Sequence, residues 1–188
     1  RANGGGRIYP ELEVEVAPGD PAATGRFDLV PPGVADELAA VLNERTSAEF
    51  LSGFRPDLHT FRLVSRRLKA VLNSLGPELP ALAAKGTTNL AHMHPDDLAA
   101  LGATDGDLLE ISSPHGTICG VAAGADDVRR GVVSMAHSWG TTSLTDEKVR
   151  EVGSPTNRLI DDADGFDPIT GMPVLSAIPV AVKVLVSA

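Results

Sequence analysis

The sequence is poor in aromatic residues and in cysteine, and each shortage excludes a class of protein. Only 4% of its 188 residues are aromatic, so its core must consist mainly of aliphatic side chains. Cys119 is the single cysteine, which excludes an internal disulfide and a cysteine-based metal site. No apolar run approaches the ~20 residues of a membrane span, so we expect no membrane insertion. We expect a cytoplasmic location.

Positive charge and catalytic motifs are also scarce. The formal net charge is -9, from 25 acidic residues against 16 lysines and arginines, and such a field repels nucleic acid. We therefore predict no nucleic-acid partner. The sequence has no glycine-rich dinucleotide fingerprint, P-loop, nucleophile elbow or H-E-x-x-H motif. This disfavours a self-standing hydrolase, and we predict a binding protein with no catalytic residue of its own.

Turn-forming residues, in contrast, are abundant, with 19 glycines and 14 prolines. They separate short strand-like runs, among them "LHTFRLVS", "DLLEISS", "TICGVAA", "VVSMAHS" and "AIPVAVKVLV". Between the first two lies a predicted helix from Pro95 to Leu101, with Asp96 and Asp97 in its first turn and Gly102 just past its end. Strands separated by tight turns, with one short helix inserted, are typical of a compact β-barrel rather than an open α/β sheet.

The N-terminal part of the chain differs in composition from the rest. Residues 1–33 carry a triple glycine and five prolines, which predicts a linker or edge extension with a single strand at 12–16. Apolar residues recur at helical spacing from residue 34 onward. We therefore divide the chain into residues 1–54, a linker and N-terminal extension with one helix, and residues 55–188, a barrel domain. Because the first residue is Arg1 rather than Met, we expect a piece of a longer protein.

Two stretches within the barrel domain lack strand character. Leu68, Val71, Leu72 and Leu75 are spaced to form two helical turns. Residues 140–173 are polar and without periodicity, and loops of that length in a compact domain are usually functional or disordered.

A cluster of cations ends the first predicted strand of the barrel. Arg62, Arg66, Arg67 and Lys69 fall within eight residues of an acidic chain. Arginine presents a planar fork that binds phosphate or carboxylate through two hydrogen bonds, so two adjacent arginines suit a phosphorylated ligand. The alternative is a solvated face paired with the surplus acidic residues. The cluster by itself leaves both interpretations open.

Histidines and acidic residues also cluster before the predicted helix. His92, His94, Asp96 and Asp97 include the side chains that bind metals, but capping of the helix explains the two aspartates and no third spaced group follows. We predict no metal site here. Polar contact with a ligand at the N-terminus of the helix is the favoured alternative.

Two other polar stretches invite a functional interpretation. The run 161–171 is rich in aspartate, but the first and twelfth positions of a calcium loop centred on Gly165 would be Ile160 and Gly171, so the EF-hand pattern fails. His137 and Trp139 end a predicted strand where the long polar loop begins. That position suits the rim of a ligand site.

Taken in order, five stretches of the chain resemble a known family. They are "FRLVSRR…NS", "NLAHMHPDDLAALGATDGDLLEISSPHG", "GVVSMAHSWG", "NRLIDDADGFDPITG" and the closing strand. Over about residues 55–186 the chain resembles the C-terminal dinucleotide-binding domain of molybdopterin oxidoreductases, which include formate dehydrogenases, nitrate reductases and dimethyl sulfoxide reductases. The resemblance implies a mainly β domain with short helices, folded as a double-psi β-barrel. Such a domain caps two molybdopterin guanine dinucleotides bound to molybdenum or tungsten.

The resemblance also implies which residues contact the cofactor. They are Ser65, Arg66, Arg67, Asn73, Ser74, His94, Asp97, His137, Trp139, Asn157 and Arg158. The ligand of the metal and the iron–sulfur cysteines would lie in upstream domains of the parent enzyme, so this domain alone would have no turnover. Where the family often has a lysine, this chain has Val174, Leu175 and Ser176. A second hypothesis is a double-psi barrel that recruits a protein partner without a cofactor, which predicts an exposed apolar groove.

Overall fold

The computed structural model describes most of the barrel domain and part of the N-terminal extension. The described residues are 19–22, 24–25, 29–43, 55–69, 71–73, 75–76, 79–83, 88–140, 148–161, 163 and 165–185. The strand predicted at 12–16 lies outside them.

Six strands and a few short helices make up the described fold. The strands are β1 Phe61–Arg66, β2 Ala91–Met93, β3 Leu108–Ser112, β4 Thr117–Gly124, β5 Val132–Ala136 and β6 Ile178–Val184. The helices are α1 Val34–Asn43, α2 Pro80–Ala83, α3 Pro95–Leu101, α4 Val149–Val152 and a 3-10 helix, Thr156–Leu159. In the part of the chain that the structure describes, no helix is long and apolar enough to cross a membrane.

The strands close into a barrel in the order β1-β5-β2-β4-β3-β6. β1 pairs with β5 in parallel and β2 pairs with β4 in parallel, whereas the other pairings are antiparallel. Parallel neighbours need a crossover connection, which an up-and-down barrel lacks. The predicted mainly β fold with short helices, a barrel of the double-psi type, is thereby confirmed.

The interior of the barrel is aliphatic, as the shortage of aromatic residues requires. Leu63, Met93, Leu109, Ile111 and Met135 are fully buried there. In β2 and β3 the buried residues alternate with more exposed ones, because successive side chains of a strand point to opposite faces. Burying each such side chain contributes about 1.5–3 kcal/mol, and the packed interior holds the strand ends in fixed positions.

Helix α3 has the predicted limits, and its ends follow the predicted rules. Pro95 begins the helix, and Gly102 ends it with φ 72° and an N–H that donates to the carbonyl of Ala99. The structure adds a cap that was not predicted: His94 Nδ1 accepts a hydrogen bond from Asp96 N at 3.1 Å. The imidazole thus satisfies one of the free N–H groups of the first turn.

The helical turns predicted for residues 68–75 are wrong. Leu72 and Leu75 instead exchange two backbone hydrogen bonds of 2.9 Å around a tight turn, in which Asn73 has φ 53°. Leu72 and Leu75 are 67% and 68% exposed. A short helix in a protein is stabilised mainly by packing of its apolar face, and among the described residues no core covers Leu72 and Leu75.

Candidate functional site

The candidate site begins where two parallel strands end. In the register of β1 and β5, Ser65 lies opposite Met135 and Arg66 opposite Ala136. The next residues of the two strands, Arg67 and His137, therefore emerge at the same edge of the barrel. The chain direction of both strands brings together two side chains that are 70 residues apart in the sequence.

A cavity of about 800 Å³ opens at this edge, within the size range of ligand pockets. It brings together six of the eleven residues predicted for the cofactor, and Ile160 and Leu175 add apolar surface. The six are Ser65, Arg67, His137, Trp139, Asn157 and Arg158. The hydroxyl of Ser65 donates to the carbonyl of Leu175 at 2.9 Å, which ties the loop before β6 to the rim.

Trp139 is a deeply enclosed polar side chain of the cavity. It is 5% exposed, and its Nε1 has no hydrogen-bond partner among the described residues. A buried donor without a partner costs about 1–3 kcal/mol, so such groups are rare in proteins unless a ligand or water satisfies them. The residue lines the cavity, and a ligand that brought an acceptor next to this N–H would satisfy it.

Arg66 lies behind the cavity rather than in it. With Arg67, Asn73, His137 and Trp139 it borders a small recess next to the cavity wall. Its Nη1 is buried and has no partner within the described ranges, whereas its Nη2 lies 3.9 Å from the carboxylate of Asp127. A second donor without a partner is therefore held beside the same wall as Trp139.

Asn73 holds the side chains at the rim together. Its Oδ1 accepts a hydrogen bond from Arg67 Nη1 at 2.7 Å and lies 3.2 Å from His137 Nε2. Its left-handed backbone conformation is one that asparagine tolerates well. Asn73 thus orients Arg67 and His137, while Ser74 lies outside the described residues.

The 3-10 helix supplies the opposite side of the cavity. Residues three apart in such a helix share a face, so Thr156 and Leu159 are buried together. Asn157 and Arg158 are more exposed and line the cavity, as does Thr156. Burial of Leu159 in the core therefore helps to fix how this segment faces the cavity.

Gly140 allows the 3-10 helix to approach the end of β5. It has φ +82°, and a Cβ there would lie 2.7 Å from Cδ of Pro155, the residue before the helix. Its N–H donates to the carbonyl of Val152 at 2.9 Å. Any other residue at position 140 would separate the two walls of the cavity.

Asn89 joins two walls of the cavity and was not predicted from the sequence. It is 2% exposed, and its Nδ2 donates to the carbonyls of Ala136 at 2.7 Å and Ser154 at 2.9 Å. Its Oδ1 accepts from Ser154 N at 2.7 Å. One amide thus joins the end of β5 to the segment that leads into the 3-10 helix. The signal for it in the sequence was a polar residue two positions before the buried strand β2.

His94 and Asp97 lie outside this cavity. His94 caps α3, and Asp97 accepts hydrogen bonds from Gly131 N at 2.6 Å and Arg130 Nε at 3.3 Å. Both side chains stabilise local structure, and their predicted contact with the cofactor stays a prediction. Across the described ranges, no three side chains of His, Cys, Asp or Glu come together as a metal site.

The residues that line the cavity have the chemistry of a site for a large anionic ligand. Arg67 and Arg158 supply positive charge from opposite walls, and Asn157 and Trp139 supply neutral donors. Charge-assisted hydrogen bonds of this kind contribute about 1.5–3 kcal/mol each. The apolar surface of the cavity suits the flat faces of heteroaromatic rings.

Comparison with known proteins identifies the family of this chain. The family model of the molydopterin dinucleotide binding domain matches residues 61–179. The fold is similar to that of acetylene hydratase from Pelobacter acetylenicus, with a TM-score of 0.56 and 17% sequence identity. That likeness covers 66% of this chain but 18% of the other, so the chain spans less than a fifth of that protein. No curated protein sequence matches. Because the family match covers more than half of it, the chain belongs to the molydopterin dinucleotide binding domain family, whose members bind molybdopterin dinucleotide.

Proposed function

We propose that this chain is the cofactor-capping domain of a molybdenum or tungsten oxidoreductase that uses bis-molybdopterin guanine dinucleotide. The bound cofactor supplies redox chemistry at its metal, and the protein supplies binding and orientation. Upstream domains of the parent enzyme hold the metal and most of the pterin. The residues of this chain bind and orient the dinucleotide, and the domain alone has no turnover.

The observation that carries this proposal is the convergence of donors on one cavity. The ends of β1 and β5 and the 3-10 helix bring two guanidinium groups, an amide and a buried indole N–H to its walls. Arg67 and Arg158 would bind the pyrophosphate from two sides. Trp139 and Asn157 would donate to acceptors on the rings or the phosphates. The fit is chemical, since each donor type has a matching acceptor in a phosphorylated pterin dinucleotide.

Retention of the cofactor by the full-length parent protein tests the proposal. We expect Arg67→Ala and Arg158→Ala each to weaken binding by roughly 10–100-fold, because a charge-assisted contact contributes about 1.5–3 kcal/mol. The amounts of bound metal and of guanine nucleotide released on denaturation, per mole of protein, measure this loss.

A matched control removes an arginine elsewhere. Arg55 is exposed and forms an ion pair with Asp57 at 3.0 Å, away from the cavity. Arg55→Ala should leave both amounts at the wild-type level. Wild-type contents in both Arg67→Ala and Arg158→Ala would overturn the assignment of this cavity.

One observation favours the second hypothesis, a barrel that recruits a protein partner. Leu72, Leu75 and Leu79 are exposed and line a groove of about 560 Å³ beside Arg67. An exposed apolar groove is what that hypothesis predicts. A full-length protein that purifies without guanine nucleotide, yet binds a peptide that Leu75→Asp releases, would support recruitment over capping.

The predicted cytoplasmic location of the parent stays part of the proposal. Fractionation of cells that produce the tagged full-length protein tests it.

A further inference from the structure

The turn between β3 and β4 is held rigidly and faces the 3-10 helix. Ser113 Oγ accepts hydrogen bonds from the N–H groups of His115 at 3.1 Å and Gly116 at 3.2 Å. Ser113 N donates to the carbonyl of Gly116 at 2.8 Å. His115 and Gly116 therefore have little freedom to move away from their neighbours.

Gly116 lies directly against the backbone of the 3-10 helix. A Cβ at this position would overlap the carbonyl oxygen of Arg158 and lie 3.3 Å from its carbonyl carbon. The neighbouring atoms belong to the backbone, so they cannot move aside as the end of a flexible side chain does. The close approach, rather than an unusual backbone conformation, requires glycine here.

His115 contacts the other end of the same segment. Its Nδ1 lies 3.2 Å from Oδ2 of Asp161, and the two side chains are largely buried. Its Nε2 is buried and has no hydrogen-bond partner among the residues that the structure describes. The β3–β4 turn thus contacts the segment at Arg158 and again at Asp161.

These contacts are part of a larger set that holds the segment from Ser154 to Asp161, which contains the 3-10 helix. Asn89 fixes Ser154, which precedes the 3-10 helix, and Leu159 anchors the helix in the core. Neither constraint fixes the chain after Leu159. The contact of His115 with Asp161 lies in that region, and the contact of Gly116 with Arg158 lies directly before it. The rotation of the helix about its axis depends on both ends being held.

We propose that His115 and Gly116 are positioning residues that hold the 3-10 helix so that Asn157 and Arg158 face the cavity. Neither residue lines the cavity, so both act through the segment they contact. The inference rests on the proposed function for the identity of the ligand. How well the segment is held in place can be measured without the ligand, by hydrogen exchange.

Hydrogen exchange and cofactor retention in the full-length protein together test this inference. The amides of Arg158 and Ile160 donate within the segment, at 3.1 and 3.3 Å, and they report its order. We expect Gly116→Ala and His115→Ala to raise exchange at these amides by about 10-fold or more, equivalent to about 1.4 kcal/mol of local opening. Guanine nucleotide retained per mole of protein should fall in the same variants, whereas exchange in β1 and β5 should not change.

Two control variants separate positioning from general damage. Gly25→Ala adds the same methyl group where no atom of another described residue lies within 4 Å, so exchange and retention should equal those of the wild type. His115→Gln can still donate a hydrogen bond to Asp161 and should restore most of what His115→Ala loses. If His115 only stabilised another part of the barrel, His115→Gln would not restore slow exchange at the amides of Arg158 and Ile160.

Two results would overturn the inference. One is unchanged exchange at Arg158 and Ile160 in Gly116→Ala and His115→Ala. The other is faster exchange there with wild-type retention of guanine nucleotide. Failure of the proposed function is distinct from both, because it appears as wild-type retention in Arg67→Ala and Arg158→Ala, whatever the exchange at the segment.

Discussion

Trp139 and Asn89 show how two buried polar side chains serve the site in opposite ways. Asn89 uses both ends of its amide within the protein, in three hydrogen bonds to Ala136 and Ser154. Trp139 has an equally buried donor that no described residue accepts. A fully satisfied group stabilises the walls of the cavity, whereas an unsatisfied one costs stability until a ligand or a water molecule accepts its hydrogen bond.

At the residue scale, we predict that Asn89→Ala destabilises the protein strongly. The change leaves two carbonyls and one N–H buried without partners, and each such group costs about 1–3 kcal/mol, so we expect a loss of at least about 3 kcal/mol. Urea unfolding measures it. Asp126→Ala, on the exposed turn after β4, should change stability by less than about 0.5 kcal/mol. If Asn89→Ala also changed stability by less than about 0.5 kcal/mol, Asn89 would not hold the two walls together.

At the scale of elements, the cavity depends on where chain segments end. β1 and β5 run in parallel, so their carboxyl ends meet, and the 3-10 helix is brought against them by the approach of Pro155 to Gly140. Helix α3 lies elsewhere, and its N-terminal residues are engaged in its own cap and in contacts with Gly131 and Arg130. Parallel strand ends, rather than a helix N-terminus, build this site.

Substitution of His94 separates its role in α3 from its predicted contact with the cofactor. We expect His94→Ala to lower stability by about 0.5–2 kcal/mol, the usual cost of losing an N-cap, and His94→Ser to keep the wild-type stability because serine caps well. Thermal unfolding measures the first effect, and guanine nucleotide content of the full-length protein measures any effect on the cofactor. We expect His94→Ser to retain the nucleotide. Its loss from that variant would show that the imidazole contacts the cofactor.

At the scale of the whole molecule, closure of the barrel couples stability to pH. β2 lies between β4 and β5, and His92 on β2 pairs with Ser134 and Ala123. Burial lowers the pKa of His92 below its ordinary value of 6.5, and the positive charge of Arg66 lowers it further, against the opposing carboxylates of Asp127 and Asp105. The folded barrel therefore favours the neutral imidazole.

We predict that His92 contributes stability above pH 6.5 that is lost as the pH falls below it. In that window the unfolded chain binds more protons at His92 than the folded protein does, so stability rises with pH. The thermal midpoint of the wild type should fall more steeply from pH 7.5 to 5.5 than that of His92→Gln. From pH 7.5 to 8.5 the two proteins should change in parallel, which serves as the control. Parallel curves below pH 6.5 would contradict the prediction.

The sequence alone determined those features that depend on neighbours in the chain. The limits of α3 followed from Pro95, the two aspartates and Gly102, because capping acts within a turn or two. Alternation of apolar residues and frequent turns indicated a barrel, and the five ordered stretches identified the family. The same local rules failed at Leu72 and Leu75, where a helix would have needed a core to pack against.

Only the tertiary structure decided which of the predicted residues share a cavity. Arg67 and His137 meet because β1 and β5 pair in parallel, a register that neither strand encodes by itself. Asn89 acts on residues 47 and 65 positions away, and the need for glycine at position 116 comes from the backbone of Arg158. Such contacts are properties of the closed barrel, since the partners become neighbours only when the core has packed.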